Sequence, residues 1–301
     1  MLGLIWGSGY VIANYCVHNG VKPLGYALWQ SLGPAMALLL ISIFRHTQSI
    51  RFEKKYLNYY LVCGLFGVAF PNTLIYFTSQ HLPPGIVGVI VNIVPIIIYA
   101  LALFWRQENF RWWRLFAVLV GVSGVMTIVI PHVHINTAAG IPWILLILLT
   151  PLSFALCAVF IARFRPVPSD SLGLSTGMLI ISSLLLTPIV LSTHDFYAFH
   201  FPFTTIDWLL VLETLLSTTG YVIFFLLIRR AGPVYYSLVS GVVALTSVFW
   251  SWLIFHQIPS FMSAAGIALI VTSIGMITLC RTSSTSSNAK TAVTTPDTQP
   301  T

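Results

Sequence analysis

Long apolar runs alternate with short polar breaks along the whole chain. Ten runs recur before residue 280, at roughly 2–19, 24–44, 56–79, 83–105, 111–131, 140–162, 172–193, 206–228, 233–255 and 260–280. A membrane span needs about 20 apolar residues, because each adds 1.5 Å across ~30 Å of hydrocarbon. Backbone in lipid must satisfy its own hydrogen bonds, so each run predicts a helix. The tail from Arg281, RTSSTSSNAKTAVTTPDTQPT, is rich in Ser and Thr and has no apolar period, so residues 281–301 read as a disordered cytoplasmic tail.

The breaks between runs carry their basic residues unevenly. Arg45, Arg51, Lys54, Lys55, Arg106, Arg111, Arg114, Arg163, Arg165, Arg229, Arg230, Arg281 and Lys290 fall on one side, and only Lys22 on the other, a split of 13 to 1. Positive residues stay on the cytoplasmic side, so both termini are expected there, in the inner or plasma membrane of the cell. His18, His81, His132, His134, His194, His200 and His256 lean to the opposite side.

Composition agrees with the runs. Hydrophobic residues make up 57% and charged residues 7%, against roughly 25% charged in a soluble domain. Most of the surface must therefore face lipid. The net charge of +7 is explained by the loops and forms no patch for nucleic acid. Cys16, Cys63, Cys157 and Cys280 lie in or at the end of apolar runs without CxxC spacing, and read as small packers. The start has no basic n-region or cleavage site, so it is not a signal peptide. Trp6 and Gly7 already lie in the first run, which leaves room for a slightly longer N-terminus.

Shifting the chain by 149 residues lays HLPPGIVGVIVNIVPIIIYALALFWRQENF over RAGPVYYSLVSGVVALTSVFWSWLIFHQIP, with Pro84 on Pro233 and Glu108 on Gln257. Each half then holds five runs. Five is odd, so the second half enters the membrane from the opposite side, an architecture that lets one central site open alternately to each face. The fold expected is an all-α integral membrane protein of ten transmembrane helices in two inverted five-helix repeats, 1–131 and 132–280.

The chain resembles the EamA-type transporters of the drug/metabolite transporter superfamily. IWGSGYVIA near the start carries a Trp-Gly-Ser opening. VNIVPIIIYALALFWRQENFRWWRLFAVLVGVSGVM holds Pro95, Glu108 and Gly124 at the family's spacing, and FFLLIRRAGPVYYSLV and SAAGIALIVTSIGM, with Gly266, are similar to the matching second-half segments. Members often carry an Arg in the second span, where this chain has Gln30 in ALWQSLGPAM. The second-half Pro and Glu are replaced by Ala244 and Gln257.

One acid stands deep in an apolar run, Glu213 in IDWLLVLETLLSTTGYV, six residues beyond Asp207 at the run's edge, or about 9 Å along a helix. A charge exposed to lipid there costs about 3 kcal/mol, so the group must face a cavity, find a partner or hold a proton. Glu213, Ser217 and Tyr221 share a helix face at steps of four. Gly88, Asn92, Pro95 and Tyr99 form a similar stripe on the fourth run, and Tyr10 and Asn14, Asn72 and Tyr76, and Tyr236 and Ser240 give polar faces to the first, third and ninth. The site expected is one central cavity lined by Tyr10, Asn14, Asn72, Tyr76, Asn92, Tyr99, Glu213, Tyr221 and Tyr236, although interhelical hydrogen bonding alone accounts for any single pair.

Pro95 lies in mid-run and is expected to kink its helix or act as a hinge. Gly3/Gly7, Ala117/Gly121 and Gly173/Gly177 are spaced for close helix packing. Glu108 beside Arg106 and Arg111 reads as an ion pair at the surface. His132 and His134 are too few for a metal, and no cofactor is expected. No G-x-x-x-x-G-K-[ST] motif is present, which points to a secondary transporter of a small polar or amphipathic metabolite, with export as one direction and Glu213 as a proton carrier. The alternative is a membrane-embedded enzyme, but no nucleophile and base can be paired from the chain, so no catalytic residue is assigned. The partners expected are the small-molecule substrate and membrane lipid, with no nucleic acid, in a monomer or homodimer.

Overall fold

The computed structural model describes residues 1–44, 50–79, 81, 90–91, 93–129, 141–255, 261–262, 264–273 and 275–276. Among these residues the regular secondary structure is entirely helical, and every helix overlaps one of the ten apolar runs, some extending a few residues past its ends. The helices are α1 (Leu2–His18), α2 (Pro23–Phe44), α3 (Lys54–Gly64), α4 (Phe70–Ser79), α5 (Val94–Phe104), α6 (Trp112–Val129), α7 (Ile141–Ile147), α8 (Leu149–Phe164), α9 (Ser171–Ser192), α10 (Thr205–Ala231), α11 (Pro233–Tyr236), α12 (Val239–Phe255) and α13 (Ala264–Ser273). Four helical stretches, Pro23–Phe44, Pro142–Phe164, Ser171–Ser192 and Thr205–Ala231, are long and apolar enough to cross a membrane.

Local chemistry sets several boundaries. The side chain of Asp170 accepts from Gly173 N and caps α9. Thr204 and Asp207 form a reciprocal capping box at the start of α10. Gly232 ends α10 with φ +83, a left-handed conformation that favours glycine, and Pro233 then opens α11 at its first position. Pro95 also sits in the first turn of its helix, α5, where its missing N–H is not needed. Pro95 thus stands at the start of α5; most of the run before it lies outside the described residues.

The third run is not one regular helix. Leu65–Ala69 is a π-helical stretch joining α3 to α4.

Early and late helices interleave. α1 packs on α10 and α12, α2 on α9 and α10, α3 on α9, and α4 and α5 on α8. Small residues allow this. A Cβ on Gly3 would lie 2.5 Å from Val242 Cβ, and one on Gly7 2.5 Å from Thr246 Cβ, so α1 lies almost backbone to side-chain stem against α12. The flanks stay apolar and exposed, with Met36, Leu40 and Ile43 on α2, Leu184 and Leu191 on α9, and Leu212 and Leu215 on α10. Such a surface is stable only against lipid.

Apart from Glu213, the charged side chains of the described residues gather at the two ends. At one end Lys22 pairs with Asp195 at 2.9 Å, and Trp29 Nε1 donates to Tyr197 O at 2.8 Å, tying the α9–α10 connector over α2. At the other, Tyr56 donates its hydroxyl proton to Pro168 O, and Glu108 pairs with Arg114, not with Arg106 or Arg111 as its sequence neighbours suggested. Cys16, Cys63 and Cys157 are free and buried. His132, His134, His256, Gln257, Cys280 and the tail from Arg281 lie outside the described residues.

Candidate functional site

Glu213 stands on the face of α10 turned to α1 and α2, and its side chain is only 4% exposed. Ser217, one turn on, donates to Glu213 Oε1 at 2.8 Å. Gln30 of α2 donates from Nε2 to the same oxygen at 3.3 Å. The Gln30 carbonyl in turn accepts from Asn72 Nδ2 of α4 at 3.3 Å. Three helices are thus joined by a polar chain, Asn72 to Gln30 to Glu213, that ends on a single carboxylate oxygen.

The other oxygen, Glu213 Oε2, is buried without a hydrogen-bond partner among the described residues. It lies against Gly9 of α1, where a Cβ would be 3.0 Å from Oε2 and 3.2 Å from Oε1. No Asp, Glu, Lys or Arg occurs on α1, α2 or α9, the helices that enclose this part of α10. A carboxylate oxygen in apolar surroundings is stabilised by a proton or a cation, and here the protein itself supplies neither among the described residues.

Apolar layers close the site above and below. Toward the Lys22 end lie Cys16, Tyr26 and Leu210, with Trp29 and Leu209 against them. Toward the other end, Trp6 meets Tyr221 edge-on at 6.3 Å, Phe224 at 5.8 Å and Tyr236 at 6.2 Å. A small cavity of about 20 Å³ lies elsewhere, lined by Pro95, Gly121, Ser237, Ser240 and Ser273 among others. Glu213 is not among its lining residues.

The expected site residues therefore separate. Asn72 joins the Glu213 network, while Tyr221 and Tyr236 join the aromatic layer around Trp6. Tyr99 turns away: its hydroxyl donates to Arg111 O at 3.1 Å and accepts from Arg111 N at 3.0 Å, closing the α5–α6 connection. Tyr10 and Asn14 lie on α1 and Tyr76 on α4, with side chains outside the described set, and Asn92 is outside it altogether. Gln30, Trp6 and Gly9 were not named as site residues. Gln30 carries the same signal as Glu213, a lone polar group in an apolar run.

This bundle, with apolar flanks and a buried carboxylate between its helices, is that of an integral membrane protein. The profile of the EamA-like transporter family matches residues 1–130 and 141–279. The chain belongs to that family. It is similar to the uncharacterized transporter YvbV of Bacillus subtilis (strain 168), 23% identical over 276 residues that cover 92% of this chain and 88% of that protein. It is also similar to the uncharacterized transporter YoaV of the same organism, 22% identical over 277 residues, covering 91% and 93%. A crystal structure superposes with a TM-score of 0.78 at 17% identity, over 93% of this chain and 94% of its own, which supports the shared fold. The protein is an integral membrane transporter of a small molecule.

Proposed function

We propose that the protein is a secondary transporter in which Glu213 carries the coupling proton or meets a cationic group of the substrate. The observation that carries this reading is Glu213 Oε2, buried and unpartnered beside Gly9. An intramembrane acid held in this way is functional by default, because a purely structural carboxylate would spend both oxygens on donors. The substrate is a small polar or amphipathic metabolite. Two inverted five-helix halves, 1–131 and 132–280, with both termini cytoplasmic, rock about the site and expose it to each side in turn. The closed layers of Tyr26 and Leu210 on one side and Trp6 and Tyr221 on the other correspond to an occluded conformer of that cycle.

The test uses proteoliposomes holding a trapped pH-sensitive dye, challenged with a panel of amino acids, amines, nucleosides and sugars. At least one class is expected to drive proton movement in the wild type, and Glu213→Gln is expected to abolish it while the protein still inserts. Wild-type rates and an unchanged pH profile in Glu213→Gln would reduce Glu213 to a buried hydrogen-bonding residue.

A further inference from the structure

The π-helical stretch Leu65–Ala69 contains an exchange of hydrogen bonds that reaches the Glu213 network. In a regular α-helix Phe70 N–H would bond Phe66 O, four residues back. Here Phe70 N–H bonds Leu65 O, five residues back. Phe66 O is released from the helix ladder, and Ser153 Oγ of α8 donates to it at 2.7 Å. One turn further along α8, Cys157 lies over the same bulge. Its Sγ is 3.9 Å from Cys63 O, and a Cβ on Gly67 would lie 2.7 Å from that sulfur. The missing side chain at Gly67 is what lets α8 press on the bulge.

A π-bulge holds one extra residue, which turns everything after it by about 100° relative to an uninterrupted helix. Asn72 lies in the first turn after the bulge, and in that rotated register its amide reaches Gln30 Oε1. Gln30 then presents its Nε2 to Glu213 Oε1. From these contacts we infer that Ser153 is a positioning residue: by holding Phe66 O it fixes the bulge, aims Asn72 at Gln30, and so determines that Glu213 is held by one oxygen with the other open. Pro71 has no N–H to give Phe66 O in the π register, and in a regular helix its ring would press on Gly67 O, so Ser153 supplies the donor that the bulge lacks. Without the hydroxyl, Phe66 O is left unsatisfied, the register of the bulge is no longer fixed, and Asn72 is no longer held on Gln30.

The role of this device in transport rests on the reading of Glu213 given above, whereas the linkage of Ser153 to Asn72 can be measured without transport. The experiment is a double-mutant cycle of Ser153→Ala and Asn72→Ala in the full-length protein in detergent, with Ser153→Thr as the rescue. The first readout is proton binding by Glu213, followed as the infrared carboxyl band that disappears in Glu213→Gln. The second is thermal unfolding of the same proteins. Ser153→Ala and Asn72→Ala should each change the proton affinity of Glu213 by about fivefold, the order of one buried hydrogen bond. The double variant should change it no further, and its loss of stability should fall short of the sum of the single losses. Ser153→Thr should restore wild-type behaviour in both. Additive effects in both readouts, or a Ser153→Ala protein whose Glu213 band is that of the wild type, would overturn the proposal. If Glu213→Gln transports normally but the cycle remains non-additive, the transport reading fails and the positioning role stands.

Discussion

Asp207 and Glu213 lie on the same helix, six residues apart, and both are buried, yet their surroundings are opposite. Asp207 Oδ2 accepts from Thr204 N at 2.8 Å and Thr204 Oγ1 at 2.6 Å, while Oδ1 accepts from Tyr197 OH at 3.0 Å and His200 N at 3.4 Å. Every lone pair with a direction has a donor, and the acid also sits in the first turn of α10, where the helix dipole favours negative charge. Glu213 has two donors, both on one oxygen. The first carboxylate ends a helix and holds a connector in place. The second is left incomplete in a region with no cation among the described residues. Burial is common to both, so burial alone does not mark a functional acid; the number and placement of donors does.

The largest effect expected from this contrast is a reversal of phenotype between the two acids. Glu213→Gln should eliminate proton-coupled transport with little change in thermal unfolding, because the amide keeps the size and most of the bonding. Asp207→Asn should leave the pH profile of transport intact and lower stability by about 2 kcal/mol, since charge-assisted bonds at a cap are lost. Thermal unfolding and the proteoliposome assay on the same two proteins check this, and loss of transport in Asp207→Asn at full stability would erase the distinction.

A smaller change is expected when the donor set of Glu213 is trimmed. Gln30→Ala removes one of two donors and disconnects Asn72. Transport should fall about fivefold, and the pH profile should move with it. An unchanged profile would mean that Ser217 alone orients the carboxylate.

The smallest expected change tests the open oxygen. Gly9→Ala would put a methyl 3.0 Å from Oε2, a contact relieved by a shift of a few tenths of an ångström. A loss of roughly threefold in transport, under 1 kcal/mol, is expected. Gly20→Ala, which meets nothing within 4 Å but sits at φ +104, serves as the comparison: it should affect stability and leave the pH profile unchanged.

Much of the architecture was legible without coordinates, because it depends on local composition. Apolar runs of span length predict the helices of the described residues to within a few residues at their ends, and the polar face Glu213, Ser217, Tyr221 is buried. Other features were hidden. The π stretch has a local cause in Pro71, just beyond LFGVA, which has no N–H for Phe66 O; what stayed hidden is the donor that replaces it, the Ser153 hydroxyl, 87 residues away from Phe66. Tyr99 and Asn92 share a stripe on paper, yet Tyr99 is drawn off by the backbone of Arg111, a contact made by the turn after α5 and not by helix periodicity.

From the sequence alone came the membrane, the family resemblance and the presence of a single deep acid, since hydrophobicity and charge belong to residues one at a time. Ser217, one turn along the same helix, is a donor that the sequence places; tertiary structure alone added the second donor on that oxygen and the group behind it, with Gln30 lying 183 residues from Glu213 and Asn72, which donates to Gln30, lying 42 from Gln30. Hydrogen bonds act only over about 3 Å, so no pattern along the chain can report a partner that packing alone brings within reach.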